Sequence, residues 1–426
     1  MSLYSAFYSG LSGLTTNANA LNVIGNNLSN LNTVGYKGSS TTFRDIFSSS
    51  LGGTSTQGNG NPMQIGLGVQ TNSISQDFAQ SSFQTTGNAL DMAIQGGGFF
   101  ITRPVSGGQT YTRAGNFTRN NNGYLVAASG AFVLGWNRNP TTGLVDTTGA
   151  ITPIQIAPGS TVAAVATQNF RLGVNLNSSA AAGASSQIQT PIQVYDAQGN
   201  LHTLSVTYQK LAAPANTWSY TVTDPAGVAT ITGTPTGTVT FDTTGKLIDI
   251  NGGGAGFGAD PTLNIAWNNG AAPSVLTFNI VNPDGSSNFT QYNAPSASNS
   301  TFQDGFGAGT LRDLTLDQNG ILSGSFTNGQ VFALAQVALA TFNNNNGLIQ
   351  QGNNSWAETL ASGSPAIGVA NAGGRGGVLG SNLELSNVDV ASEFTKLIVS
   401  QRGYQANGRV VTTTDELLQE TLNLKR

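Results

Sequence analysis

"FYSGLSGLTTNANALNVIGNNL", residues 7–28, sets Phe7, Leu14, Leu21 and Leu28 seven residues apart, with Leu3, Leu11 and Ala18 on the intervening step. That period draws one apolar stripe down a helix, so the spacing predicts an amphipathic helix over the first thirty residues, interrupted at Gly25. The other end of the chain repeats the pattern. Val390, Leu397, Tyr404, Val411 and Leu418 again recur every seven residues, and Phe394 and Leu422 share a companion row with Gln401, Gly408 and Asp415. A second helix of about thirty-five residues, roughly 50 Å long, follows. Ser386 with Asp389 reads as the capping pattern that opens it, and Lys425 and Arg426 close it with the charge sign the helix dipole favours.

Both predicted helices carry interior glycines: Gly10, Gly13 and Gly25 in the first, Gly403 and Gly408 in the second. Each costs about 1 kcal/mol relative to alanine. Neither helix is then expected to be stable alone, whereas glycine lets a second backbone approach closely. The apolar positions Phe7, Leu14, Leu21, Leu28, Val390, Phe394, Leu397, Tyr404, Val411, Leu418 and Leu422 are therefore read as assembly contacts, with helices that order on packing. An ordinary two-helix coiled coil closing a monomer is the alternative.

Between the ends the period falls to two. "VQTNSISQDF" alternates from Val69, and the turn signals "NNNGY", "DAQGN", "DTTGK", "NPDGS" and "DQNGI" punctuate the middle, the rhythm of antiparallel β domains. Residues 192–210 read as one hairpin, with Ile192, Val194, Leu204, Val206 and Tyr208 on one face, and residues 314–326 as another. In the Ser/Gly/Asn-rich stretch 38–68, Phe43, Ile46, Phe47 and Leu51 stand at helical spacing, which predicts a connector with one short helix. Composition shifts near residues 150 and 300, where "NAPSASNSTF" is linker-like. The expected fold is therefore mainly β outer domains plus paired, coiled-coil-like terminal α-helices, with nested discontinuous domains. Residues 1–37 with 385–426 form a terminal helical core, 38–68 a connector, 69–150 with 301–384 an inner β domain, and 151–300 an inserted outer β domain.

Charged residues make up 8% of the 426, against roughly a quarter in ordinary globular chains, and 55 glycines with many Asn, Ser and Thr stand in their place. No charged side chain precedes Lys37. The net charge of -4 leaves no basic footprint for nucleic acid or anionic lipid. With no cysteine and the single His202, neither a disulfide framework nor a thiolate or histidine metal cluster is expected, and no cofactor is implied. "VFALAQVALATF", 331–342, is too short to span a membrane, and the start lacks the basic and apolar regions of a cleavable signal.

Catalysis has little support in the residues. The acidic side chains, among them Asp146, Asp196, Asp224, Asp242 and Asp260, sit in or beside turns, where Asp stabilises local backbone. His202 reads as a solvated strand residue. "GGGAGFG", 252–258, and "GAGTL", 307–311, lack the Lys-Ser/Thr that a phosphate loop requires.

"NNLSNLNTVGYK", 26–37, resembles the N-terminal signature of the bacterial flagellar rod/hook axial proteins, and 386–424 resembles the C-terminal signature of the same family. "QGGGFFI" and "YTRAGNFTRNNNGYLV" are similar to two further family stretches. The long middle, with "YDAQGNLHTLSVTYQK", looks like that of hook-type members. The resemblance implies a structural, non-enzymatic subunit that polymerises with its own copies into a curved flexible tube transmitting torque from rod to filament. It further implies an extracellular flagellar location and export through the type III apparatus without a cleavable signal. The implied partners are the distal rod protein, the hook cap and the hook–filament junction proteins, with no nucleic acid and no membrane insertion. Lacking cysteine, such a tube is held noncovalently. A distal rod-type axial protein and a secreted β-rich adhesin or carbohydrate-binding protein are the alternatives.

Overall fold

The computed structural model describes residues 3–50, 64–157, 159–252, 257–282 and 285–423. The chain divides into two compact units, one of Met1–Pro158, Leu314–Gly324 and Phe332–Arg426, the other of Gly159–Asp313 and Ser325–Val331.

The first unit carries both long helices, α1 (Leu3–Ser29) and α2 (Val390–Asn423). Gly25 does not interrupt α1: the helix runs through it, and its missing side chain faces open space. The cap of α2 is Asp389, three residues later than the Ser386 pattern predicts, because Asp389 Oδ1 accepts the Ser392 N–H at 2.6 Å. Lys425 and Arg426 lie outside the described residues.

The short helix expected around Phe43 is a strand. Ser39–Asp45 pairs antiparallel with Val69–Gln76, from Ser39↔Gln76 to Asp45↔Val69, with a bulge between Thr42 and Phe43. Ser48–Ser50 continues the ribbon against Gln64–Gly66. A Ser/Thr/Phe run suits a pleated surface once a partner strand supplies the ladder, and the helical spacing of Phe43, Ile46 and Phe47 had no cap to fix it. Leu51 lies outside the described residues.

Beyond the ribbon, the inner flanks of both chain ends are sewn together. Phe83–Thr85 pairs with Asn382–Glu384, Met92–Gln95 with Gly377–Gly380, and Phe99–Arg103 with both Thr110–Thr112 and Leu339–Thr341. Phe99, Ile101, Tyr111, Leu134, Trp136 and Trp356 form the core of this region, with Phe99 meeting Trp356 edge-on at 5.6 Å. In "YTRAGNF" the glycine is obligatory, since a Cβ on Gly115 would collide with the Met92 carbonyl.

The second unit is two sheets sharing one core. Ile188–Tyr195, Leu201–Lys210, Thr217–Thr223, Thr236–Phe241 and Leu247–Ile250 build one antiparallel sheet in chain order. Thr262–Trp267, Ser274–Phe278 and Asn169–Asn175 are central to the other. The predicted hairpin is found, with Ile192, Val194, Leu204, Val206 and Tyr208 all buried. "NAPSASNSTF" contributes a strand, Ala297–Gln303, laid along Asn169–Asn175. The five sequence turn signals each close on a glycine at positive φ: Gly123, Gly199, Gly245, Gly285 and Gly320. Asn120, Asp196, Asp242 and Asp317 brace four of these turns by accepting N–H bonds from residues two and four further on.

Candidate assembly surface

α1 and α2 pack antiparallel. A Cβ built on Gly10 would lie 3.1 Å from Val411 Cγ2, and one on Gly13 would lie 2.6 Å from the Asn407 amide carbon. One on Gly403 would lie 2.9 Å from Asn17 Oδ1. Glycine thus buys close approach between the two ends of one chain. The seam is small and polar. On α1 its most buried positions are Gly10, Gly13, Thr16, Ala20, Ile24 and Asn27; on α2 they are Glu393 and Thr414.

The stripe residues distribute around this seam. Phe7, Leu14, Leu21, Leu28, Leu397, Val411 and Leu418 are half-buried. Val390, Phe394 and Tyr404 are exposed, at 38%, 51% and 45% of their surface, and Ile398, Val399 and Leu417 of α2 are exposed as well. Leu422 lies in the last turn of α2, and its side chain falls outside the described residues. An apolar groove of about 300 Å³ opens beside Ala20, Val23, Ile24, Phe43 and Val399.

The signature stretch at the end of α1 is a hydrogen-bonding hub. Buried Asn27 donates to Ser39 O at 2.8 Å and Glu393 Oε2 at 3.1 Å, and its Oδ1 accepts from Ser39 N at 2.9 Å and Tyr36 Oη at 3.3 Å. Gly38 N donates to Asn387 Oδ1 at 2.8 Å. Two residues from Gly35, whose φ is +65°, Lys37 is wholly buried. Its Nζ contacts Glu384 Oε1 at 2.7 Å across 347 residues of sequence and also donates to Ala79 O at 2.8 Å. Glu384 Oε2 faces Arg113 Nη1 at 3.4 Å, and Arg113 Nη2 donates to Gly96 O at 2.8 Å. Burial pushes the Lys37 ammonium below its ordinary pKa, and Glu384 restores only part of the shift. Arg113 is lowered for the same reason. None of these partners was legible beforehand. The available signal was Lys37 itself, the first charge in the chain.

In the second unit His202 is not the solvated residue its sequence context predicts. Its Nε2 lies 2.9 Å from Asp196 Oδ2 with the Asp196 side chain fully buried, and its ring stacks on Trp267 at 4.1 Å. Asn200 and Asn269 also donate to Asp196 Oδ2, at 3.0 and 2.6 Å. With its carboxylate saturated by these donors, Asp196 is a joint between strands. No group of three potential metal ligands and no helix long and apolar enough to cross a membrane occurs among the described residues.

Comparison with known families gives four matches in chain order. Residues 7–37 match "Flagella basal body rod protein", 93–169 "Flagellar hook protein FlgE/F/G D1 domain", 166–306 "Flagellar basal body protein FlaE D2 domain", and 380–424 "Flagellar basal body rod FlgEFG protein C-terminal". The flagellar hook protein FlgE of Borreliella burgdorferi is 34% identical, with 99% of both chains covered. That of Escherichia coli is 33% identical over 99% of this chain and all of its own. The crystal structure of Helicobacter pylori flagellar hook protein FlgE2 matches 71% of this chain and 100% of that one, with a TM-score of 0.53 at 17% identity, a likeness of fold.

Proposed function

The chain belongs to the flagellar hook protein family and is a structural subunit of the bacterial flagellar hook; from that premise we propose that it polymerises into a curved, flexible tube through its paired terminal helices. The observation that carries this is the uncovered apolar side of α2, with Phe394 and Ile398, one turn apart, each more than half exposed, on a helix whose opposite side is already occupied by α1. Water-exposed apolar residues in a row mark a surface that another copy covers. Val411 of the same stripe packs instead within the pair, its Cγ2 3.1 Å from where a Cβ on Gly10 would stand.

In this reading the helical core of 1–37 with 385–426, the inner β domain of 69–150 with 301–384, the inserted outer β domain of 151–300 and the connector 38–68 are the parts of the subunit. The tube passes torque from rod to filament and has no catalytic task. Its neighbours are the distal rod protein, the hook cap and the hook–filament junction proteins. The subunit reaches its extracellular position through the type III export apparatus.

Electron microscopy of the purified chain at rising concentration tests the reading. Curved tubes are the expected product; straight rods would assign it to a rod-type role, and absence of any polymer would overturn it.

A further inference from the structure

Each terminal helix contains one Gly-x-x-x-Asn cassette, Gly13 to Asn17 in α1 and Gly403 to Asn407 in α2. Within each cassette the asparagine is tied down to its own helix: Asn17 Nδ2 donates to Gly13 O at 2.8 Å, and Asn407 Nδ2 donates to Gly403 O at 2.9 Å. Across the seam each asparagine lies over the glycine of the other cassette, with Asn407 on Gly13 and Asn17 on Gly403. The contact is reciprocal, as if a two-fold axis passed between the helices. We propose that these two cassettes are the alignment determinant of the hook subunit's terminal helices, selecting one antiparallel register and closure within a single chain.

The physical reason lies in what a slide would do. A heptad stripe of leucines tolerates displacement by a turn, because apolar contacts are non-directional and the next leucine replaces the last. The cassettes do not. Moving α2 by one turn in one direction brings Asn17 against Asn407, two amides competing for the same space, and the other direction sets Asn17 against Val399. In either case both glycines lose the flat amide that fills the gap left by their missing side chains. Back-bonding to the preceding turn holds each amide in the plane that fits, so the recognition is pre-formed on both helices. The same register continues from Asn17 and Gly403 to Asn27 and Glu393, ten residues further along α1 and ten back along α2, where the 3.1 Å amide–carboxylate bond falls.

The chain has no cysteine, so introduced thiols report alignment cleanly. Val411→Cys is combined in turn with Gly10→Cys for the native register and with Ala6→Cys or Leu14→Cys for slides of one turn either way. Full-length chains are oxidised under assembly conditions and run unreduced in denaturant, where an intrachain loop migrates ahead of the open chain and an interchain dimer behind it. With intact cassettes the Gly10→Cys pair should close within the chain at least tenfold faster than the other two. Asn17→Ala with Asn407→Ala should bring the three rates within about threefold and raise the dimer band. Reversing one cassette, Gly13→Asn with Asn17→Gly, sets Asn against Asn407 in the native register and restores only one Gly–Asn contact in either slide, so it should abolish the preference for the Gly10→Cys pair. An unchanged tenfold preference in both variants overturns the proposal, as does loss of closure at all three pairs, which would make the cassettes necessary for pairing rather than for its alignment. Tube formation is scored separately, so failure of the alignment proposal leaves the reading of the chain as a polymer subunit standing.

Discussion

Asn27 Nδ2 donates to Glu393 Oε2 at 3.1 Å, joining the end of the N-terminal helix to the first turn of the C-terminal one. Asn27 also saturates both backbone groups of Ser39, so one amide fixes α1, α2 and the start of the ribbon.

Asn27→Leu keeps the volume and removes all of these bonds. Leaving buried partners unmade costs about 1–3 kcal/mol. If the hub forms on assembly, the concentration at which tubes first appear should rise at least tenfold, since each 1.4 kcal/mol is about tenfold. Sedimentation across a concentration series measures it, and an unmoved threshold would detach the hub from assembly.

Glu384→Gln should strand Lys37 and Arg113 as buried cations. Removing one partner of such a group typically costs about 3–5 kcal/mol, whereas replacing all three by apolar residues is often neutral. Urea unfolding followed through buried Trp356 should show a large loss for Glu384→Gln and a recovery for Lys37→Met with Arg113→Met and Glu384→Leu. Equal stability of Glu384→Gln and the parent would remove the triad from the account.

Acid should weaken the second unit. Burial alone would raise the Asp196 pKa, but bonds from His202, Asn200 and Asn269 outweigh it and hold the carboxyl below the ordinary range. A depressed folded pKa contributes stability that is complete above the unfolded value of about 3.9 and is lost as pH falls below it toward the folded value. Thermal unfolding from pH 5 to pH 2 should therefore be less steep for Asp196→Asn than for the parent. His202→Asp, setting two carboxylates together, should destabilise this unit at neutral pH, and a melting temperature unchanged by that substitution would contradict the joint.

Phe394→Asp or Ile398→Asp should leave the monomer's circular dichroism intact and abolish tubes, because a covered charge without a partner costs several kcal/mol at every copy. Leu397→Asp, at a half-buried position, should abolish tubes as well. Normal tubes from the Phe394→Asp chain would show that this side of α2 stays in water.

Limited proteolysis of the monomer below the assembly threshold should trim residues before about 35 and after about 385 and spare the β middle. Interior glycines make each helix poor in isolation, and short of packing they do not nucleate well. Intact termini under those conditions would mean that the pair is already closed in the free subunit.

The β rhythm was legible because its punctuation is local: a glycine that must take positive φ and an Asx side chain that braces it lie within five residues of each other, as at Asp196 and Gly199. The helices were legible from their period, yet their seam was not. Hydrophobicity points to Leu11 and Phe394, both exposed, while the seam is made by Gly13, Asn17, Gly403 and Asn407, which score as breakers or neutral residues. Directional contacts leave no periodic apolar trace. The strand at Phe43 was missed because its identity is fixed by Val69–Gln76 rather than by its own spacing, and Lys37 found its carboxylate too far along the chain for any local pattern to show.

That distance makes the fold sensitive to an incomplete message. A chain delivered from its N-terminus makes Lys37 and then Arg113 long before residue 384 arrives, so every unfinished product carries two cations whose shared carboxylate, Glu384, is still to come. Chains stopped at residue 380 should stay open to protease across the first unit, where chains stopped at residue 390 should close. Completeness is thereby checked by the arrival of one carboxylate, contributed almost at the end of the chain.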